Sequence, residues 1–561
     1  MNVPTQRAAN NPLSSTSESE FRADLANFAR IHLTNAMIPT RFIILEKLPK
    51  LPNGKVDRSQ LPKVDVGKLT KKTYLPPRTP EEERIAQIWQ DMLGIDQVGI
   101  EDSFFELGGN SLSVTQMVAK IKEEFGTIIS LRQLFKHPTI SEVVRIMGMK
   151  AQVANPSVYS SRSISGKELV AEAQLPSDIT PDENAAAPIF TGYRSIFLTG
   201  GTGYTGAFLL SEILKQSDAQ VYVLIRAKDA FDAANRLKKN MSQYGLWQNA
   251  YEQRVILVVG DLSHPYFGVT RQIYENLIDQ VEMIIHNGAL SSYALPYRQL
   301  KPINVLGTQE VLRLACRRRI KPVHFVSSLA VFPGYQGVQN FPEIEITDPE
   351  GVIGGYRQTK WVADQLVSLA GGRGLPVCIY RPGLITGAQT TGVCSTDTFL
   401  NAVMKGCIQL GAALDFNVML EMIPVDFCAK AIAYIALSGQ RHNTYFHLSS
   451  ANSMRWSELI DILREYGYLM RRIPYKEWYR ELSVRVEQET DNALTKFFPL
   501  FEENAPSEDV GYPGSQPRFQ ADNLMAAIAG SGIELRPMDK KLLFLYFDYF
   551  VSSGYFPPPA R

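Results

Sequence analysis

A tyrosine and a lysine stand four residues apart in the stretch G-G-Y-R-Q-T-K-W, as Tyr356 and Lys360. On a helix they share one face. A phenol has an ordinary pKa of ~10, and a neighbouring ammonium would lower it by favouring the phenolate. Such a pair can exchange a proton with a carbonyl oxygen near neutral pH. Ser328, closing the apolar run F-V-S-S, is placed to hydrogen-bond the same oxygen, and Ser327 is the alternative donor. A bare Y-x-x-x-K is a common helix surface pair, so its meaning depends on what surrounds it.

What surrounds it is a nucleotide-binding pattern. The stretch T-G-G-T-G-Y-T-G, Thr199 to Gly206, follows an apolar run and precedes the helical segment A-F-L-L-S-E-I-L-K. Gly200, Gly203 and Gly206, with Thr202 and Tyr204 between them, are spaced for a tight turn. Such a turn lets backbone N–H groups approach a pyrophosphate at a helix N-terminus. A turn without a ligand is the plainer alternative. At the end of the second apolar run stands Arg226, in L-I-R-A, followed by Lys228, with Arg236 a helix later. Cations there suit a 2′-phosphate, hence NADPH, where an acidic residue would suit NAD. Asp261 and Leu262 close the third run, where the adenine would lie. Asn287, Gly288 and Ala289 close the fourth, beside the nicotinamide half. With Asn304, Tyr356 and Lys360, these residues make up the expected cofactor site.

A third constellation is D-S-F-F-E-L-G-G-N-S-L-S-V, Asp102 to Val114. A serine after a glycine turn, opening a helix, exposes its hydroxyl at the positive helix end, where a phosphodiester would be stabilised. Ser111 is therefore a candidate attachment point. The alternative is an ordinary N-cap.

The elements that must carry these residues follow from periodicity. Thr79-Pro80-Glu81-Glu82-Glu83 is a helix start: a cap, a proline in the first turn, then acids. Ile85, Ile88, Trp89 and Met92 mark its apolar face, and Gly94 stops it. Further helices are expected at Ser111–Phe125, Leu131–Phe135 and Ile140–Met147, giving a small helical bundle. From Ser195, continuous apolar runs (S-I-F-L-T-G, V-Y-V-L-I-R, V-I-L-V-V-G-D, M-I-I-H-N-G, H-F-V-S-S, V-C-I-Y-R-P) alternate with helical segments. This is the pattern of a doubly wound α/β (Rossmann) fold with a parallel sheet covered on both faces. A smaller substrate-binding cap has room after Gly387. Its aromatic and apolar residues, among them Phe399, Met404, Leu420, Met422, Tyr445 and Phe446, are read mostly as core. The expected divisions are a disordered tail (1–13), a fragment (14–64), a linker (65–77), the bundle (78–150), a second linker (151–164), the Rossmann region (165–390) and the cap with elements returning to the sheet (391–561).

The bulk numbers exclude other classes. The chain has 561 residues, 45% hydrophobic and 20% charged, with a net charge of +1. That suits a soluble multidomain protein and gives no reason for a nucleic-acid or membrane partner. The five cysteines form no C-x-x-C pair, so no metal site is expected and a reducing, cytoplasmic setting is.

The region from about Arg194 to Ser450 resembles the extended short-chain dehydrogenase/reductase family. The resemblance implies Ser328, Tyr356 and Lys360 as its triad and Arg381–Gly383 as the strand closing over the nicotinamide. The bundle, through F-F-E-L-G-G-N-S-L, resembles peptidyl carrier domains, in which the matching serine, here Ser111, bears 4′-phosphopantetheine. Upstream, L-P-K-L-P-N-G-K-V-D-R-S-Q-L-P resembles the end of an adenylation domain. Lys55 matches its adenylate-contacting lysine but has no ATP-binding core beside it in this chain. In this order the parts resemble the terminal module of a nonribosomal peptide synthetase ending in a thioester reductase. The resemblance implies NADPH-dependent release of a carrier-bound acyl chain as aldehyde, or as alcohol after a second hydride. It also implies a phosphopantetheinyl transferase and upstream synthetase modules as partners of a monomer. Non-redox Dieckmann-type release, a sugar-nucleotide epimerase and an inert carrier scaffold are the alternatives.

Overall fold

The computed structural model describes residues 74–104, 107, 117, 120–121, 124–125, 139–149, 163–293, 295–333, 338–415, 418–439, 442–450, 453–487, 492–501 and 516–559. The adenylation-like fragment with Lys55, the disordered-tail expectation, Ser111, the Leu131–Phe135 helix and nearly all of both linkers lie outside these residues. The chain divides into two compact units, Met1–Asn155 and Pro156–Arg561. Among the described residues, no helix is long and apolar enough to cross a membrane.

In the first unit, helix α1 spans Pro80–Leu93. Thr79 caps it, its hydroxyl accepting from the Glu82 N–H, and Gly94 ends it at φ +64°. This is the start and stop that the sequence prescribes. Ile85, Ile88 and Trp89 are buried against Val98, Phe104, Met117, Ile121 and Ile140, the last opening α2 (Ile140–Met149). Trp89 and Phe104 meet edge to face at 4.9 Å.

The second unit is built on a seven-stranded parallel sheet. Its strands are β1 (Ser195–Thr199), β2 (Gln220–Ile225), β3 (Val255–Val259), β4 (Met283–His286), β5 (Val323–Val326), β6 (Val377–Pro382) and β7 (Thr444–Leu448), in the order β7-β6-β5-β4-β1-β2-β3. Six of the seven are the apolar runs of the sequence. Alternate residues feed opposite cores: Phe197, Ile284 and Phe325 pack on one face, and Ile196, Leu198 and Ile285 on the other. Burial on both faces is why the strands read as unbroken apolar runs. Helices α3 (Tyr204–Gln216) and α4 (Ala230–Gln243) follow β1 and β2. Helix α5 (Gly355–Gly372), with Trp361, Val362 and Leu366 in the core, covers the face of Phe197 and Phe325. The sequence order of the strands reverses between β1 and β4, which is where such sheets bind ligands.

The cap has its own core around Cys407, Leu459, Trp478, Leu494 and Phe547. Met404, Leu420, Met422 and Phe446 are buried, while Phe399 is only partly so. Strand β7 returns from the cap to the sheet edge. Asp364 of α5 and Arg381 of β6 form a fully buried bidentate pair, Nη2 to Oδ1 at 2.8 Å and Nε to Oδ2 at 3.0 Å. Asp364→Ala would strand the guanidinium in the core. The expected loss is ~3–5 kcal/mol of unfolding free energy, read as a lower urea midpoint; an unchanged midpoint refutes the coupling.

Candidate functional site

The glycine turn fits the group that the sequence calls for. Gly200 has φ +73°, and a Cβ there would come within 2.8 Å of the Gly288 backbone. A Cβ on Gly206 would come within 1.9 Å of the Gly200 carbonyl oxygen. The loops after β1 and β4 therefore cross with no room for side chains. Gly203, exposed, caps α3 without any side-chain hydrogen bond, so the first-turn N–H groups have no capping acceptor. This is the donor set a pyrophosphate takes. Thr202 is half-buried in the same turn. Tyr204 is used differently from the sequence expectation. Its hydroxyl faces the Thr386 and Val393 carbonyls, 3.0 Å from each, and ties the turn to the segment after β6. Only its backbone remains for an anion.

At the end of β2, Arg226 and Arg236 are both exposed, and the Arg236 guanidinium donates to the Arg226 carbonyl. Among the described residues neither pairs with a carboxylate. Asp261 turns its own loop, accepting from the Ser263 N–H and hydroxyl at 2.8 Å each. Leu262 packs over Gly288 and Gly307. Ala289 is exposed on the loop after β4.

Asn304 is held by protein partners. Its Oδ1 accepts from the Leu290 N–H at 2.7 Å, and its Nδ2 faces the Leu290 carbonyl and the Thr359 hydroxyl. The expectation that it binds cofactor gives way to a positioning role. It belongs to one hydrogen-bonded chain with a fixed direction. The Gly288 N–H donates to Thr199 Oγ1, which donates to His286 Nδ1. His286 Nε2 donates to Thr308, because the Thr308 proton already goes to the Asn304 carbonyl. Asn304 then reaches Thr359, whose hydroxyl donates to the Tyr356 carbonyl. Burial, first, and the charge of Lys360 push His286 down to about 3, so it is neutral. The chain fastens the β4 loop to the first turn of α5.

Tyr356 meets Ser328, as expected, and also Ser291, which sequence reasoning missed. Burial raises the phenol's pKa, and hydrogen bonds from the two serines oppose the rise. This corrects the expectation that Lys360 lowers it. Lys360 is buried, donates to the Val326 carbonyl at 2.8 Å and lies 4.2 Å from the Phe325 ring centre. Ser328 Oγ accepts from the Ala330 N–H at 3.1 Å, leaving its proton free. Ser327 instead donates to Asp364 at 2.6 Å, so the structure selects Ser328. Tyr293 stands edge-on to Tyr356 at 5.4 Å and contacts Phe399 of the cap at 5.8 Å. Neither Ser291 nor Tyr293 has a spacing signature; the adjoining N-G-A at a strand end was the one available pointer.

Comparison with known proteins agrees with this geometry. The family described as "Male sterility protein" matches residues 198–432, and "Phosphopantetheine attachment site" matches residues 83–147. The chain is 34% identical over 95% of its length to a linear gramicidin synthase of Brevibacillus parabrevis. It is 31% identical over 96% to the L-2-aminoadipate reductase large subunit of Eremothecium gossypii. It spans 10% and 41% of those relatives. The crystal structure of the terminal R domain of the myxalamid PKS-NRPS pathway is 34% identical, with a TM-score of 0.66. That match covers 70% of this chain and all of the R domain. A thiolation-reductase di-domain of an archaeal nonribosomal peptide synthetase shares the fold (TM-score 0.62, 21% identity), covering 86% of this chain and all of that one. The chain belongs to the family of nonribosomal peptide synthetase termini in which a phosphopantetheine carrier precedes a reductase domain of the short-chain dehydrogenase/reductase type.

Proposed function

We propose that this chain reduces an acyl or peptidyl thioester held on its own phosphopantetheine arm, using NADPH, and releases an aldehyde. The observation that carries the reading is the Tyr356–Ser328 hydroxyl pair beside the glycine turn, in one chain with a phosphopantetheine carrier. The arm is assigned to Ser111 from F-F-E-L-G-G-N-S-L and the family match. A phosphopantetheinyl transferase installs it, and an upstream synthetase module supplies the acyl group.

The chain's residues divide the work. Gly200, Gly203 and the first turn of α3 receive the pyrophosphate; Arg226 and Arg236 receive the 2′-phosphate that distinguishes NADPH; Lys360 holds the ribose. When bound, NADPH supplies the hydride for the thioester carbonyl carbon. Tyr356 gives its proton to the carbonyl oxygen as charge gathers there, and Ser328 donates to the same oxygen. Collapse of the hemithioacetal expels the pantetheine thiol and frees the aldehyde. Ser328, Tyr356 and Lys360 favour this over Dieckmann-type release, which needs no proton donor for a reduced carbon.

Three outcomes are expected. Pantetheinylated protein loaded with an acyl group consumes NADPH, followed by nicotinamide absorbance, and yields an aldehyde mass. Ser111→Ala stops this but spares a free thioester mimic; Tyr356→Phe stops both and keeps NADPH affinity. No oxidation with several loaded acyl groups would sink the reading. Second, Arg226→Ala weakens NADPH binding ~tenfold or more, the scale of one charge-assisted hydrogen bond, and leaves NADH binding unchanged in a fluorescence titration. Third, burial pushes Lys360 down to about 7 from 10.5, with Asp364 partly opposing it. Between those values the unfolded chain binds the extra proton, so stability of the cofactor-free protein rises with pH across that window. Lys360→Met removes this rise and increases stability at its lower end, as read by thermal melts, while turnover is lost. A variant with the wild-type slope contradicts the assignment.

A further inference from the structure

Converting a thioester to an aldehyde and a thiol takes up one hydride and one proton, and the proton comes from solvent. Tyr356 delivers it and must be reloaded each turnover. Lys360 is badly placed to reload it, because it is buried, its ammonium donates to the Val326 carbonyl, and it covers the Phe325 ring. Ser328 is half-buried and fastened to the Ala330 N–H. Ser291 combines the two properties that reloading needs. It hydrogen-bonds the same phenol, and it is exposed on the loop after β4. Its position is fixed from behind, because both backbone groups of Leu290 are clamped by Asn304. Tyr293, two residues on, lies against the Tyr356 ring at 5.4 Å and steadies the loop from the other side.

We propose that Ser291 is the hydroxyl through which Tyr356 is reprotonated from solvent, a role that rests on the thioester-reductase reading. Tyr356 gives its proton to the carbonyl oxygen; the phenolate takes one from Ser291; Ser291 takes one from water. When the hemithioacetal collapses, its hydroxyl proton leaves with the thiol. The balance is one proton from bulk water per aldehyde, and only O–H bonds change along the relay.

The test uses full-length pantetheinylated protein with a free acyl-pantetheine thioester, so that carrier delivery does not limit the rate. Ser291→Ala is expected to lower kcat ~tenfold or more, within the range of general acid catalysis, with unchanged NADPH affinity. Its solvent deuterium isotope effect should grow, and imidazolium buffer should restore turnover in proportion to concentration. Ser291→Thr, which keeps the hydroxyl, should retain most of the activity. Wild-type kcat and isotope effect in Ser291→Ala overturn the proposal. So does an equal, unrescued loss in both variants, which would place the effect in loop geometry. A wild-type chain that consumes no NADPH with any thioester removes the reductase reading and this role with it. An active wild type with an indifferent Ser291→Ala removes this role alone.

Discussion

The bidentate pair of Arg381 and Asp364 is the constraint on which the reductase unit depends. Both side chains are wholly buried. The guanidinium also reaches the Ile344 carbonyl at 2.7 Å and is stacked among the Phe332 and Tyr445 rings. Asp364 takes a further bond from Ser327. Two charges in a dry core contribute little net stability against an apolar replacement, but they accept very few alternative arrangements. The pair fixes β6, α5 and the end of β5 against one another. Tyr356 and Lys360 lie on α5 and Ser328 follows β5, so their mutual placement is inherited from a contact that touches no substrate.

A second constraint works through neutral groups. The hydrogen-bonded chain from Gly288 to the Tyr356 carbonyl passes through His286, whose neutral form alone satisfies it. A buried polar network of this kind is useful only when every member is satisfied, and here each proton has a defined direction. Its consequence is a β4 loop that cannot drift from the helix bearing Tyr356. The glycine crossing of Gly200 over Gly288 locks the same loop to the nucleotide turn. Cofactor side and proton side are therefore registered through one segment.

Much of this was legible in the sequence. Six strands announced themselves because burial on both faces demands continuous apolar runs, and the glycines because no other residue fits where two loops cross. Tyr356 and Lys360 share a helix face by spacing alone. The rest depended on long-range convergence. β7, T-Y-F-H-L, is short, carries a histidine and follows the whole first part of the cap, so periodicity did not separate it from core. Ser327 and Ser328 are adjacent and chemically identical; only the position of Asp364 tells them apart. Asn304 and Tyr204 carry polar groups suited to a cofactor, yet the fold takes them for itself. Ser291 meets Tyr356 from far along the chain. The supposed effect of Lys360 on the phenol assumed that sharing a face means sharing a field, whereas the ammonium turns to a backbone carbonyl instead.

The placement of β7 also bears on how the chain is made. β6 emerges from the ribosome with one edge open, and roughly sixty residues of cap must follow before β7 can cover it. At ~5–20 residues per second that edge stays bare for several seconds. A fully apolar strand with a free edge is a template for pairing with the wrong chain. The Arg381 that β6 carries is charged and points into the core, so it is also the one feature of that strand able to discourage a stray partner while the proper one is still being synthesised.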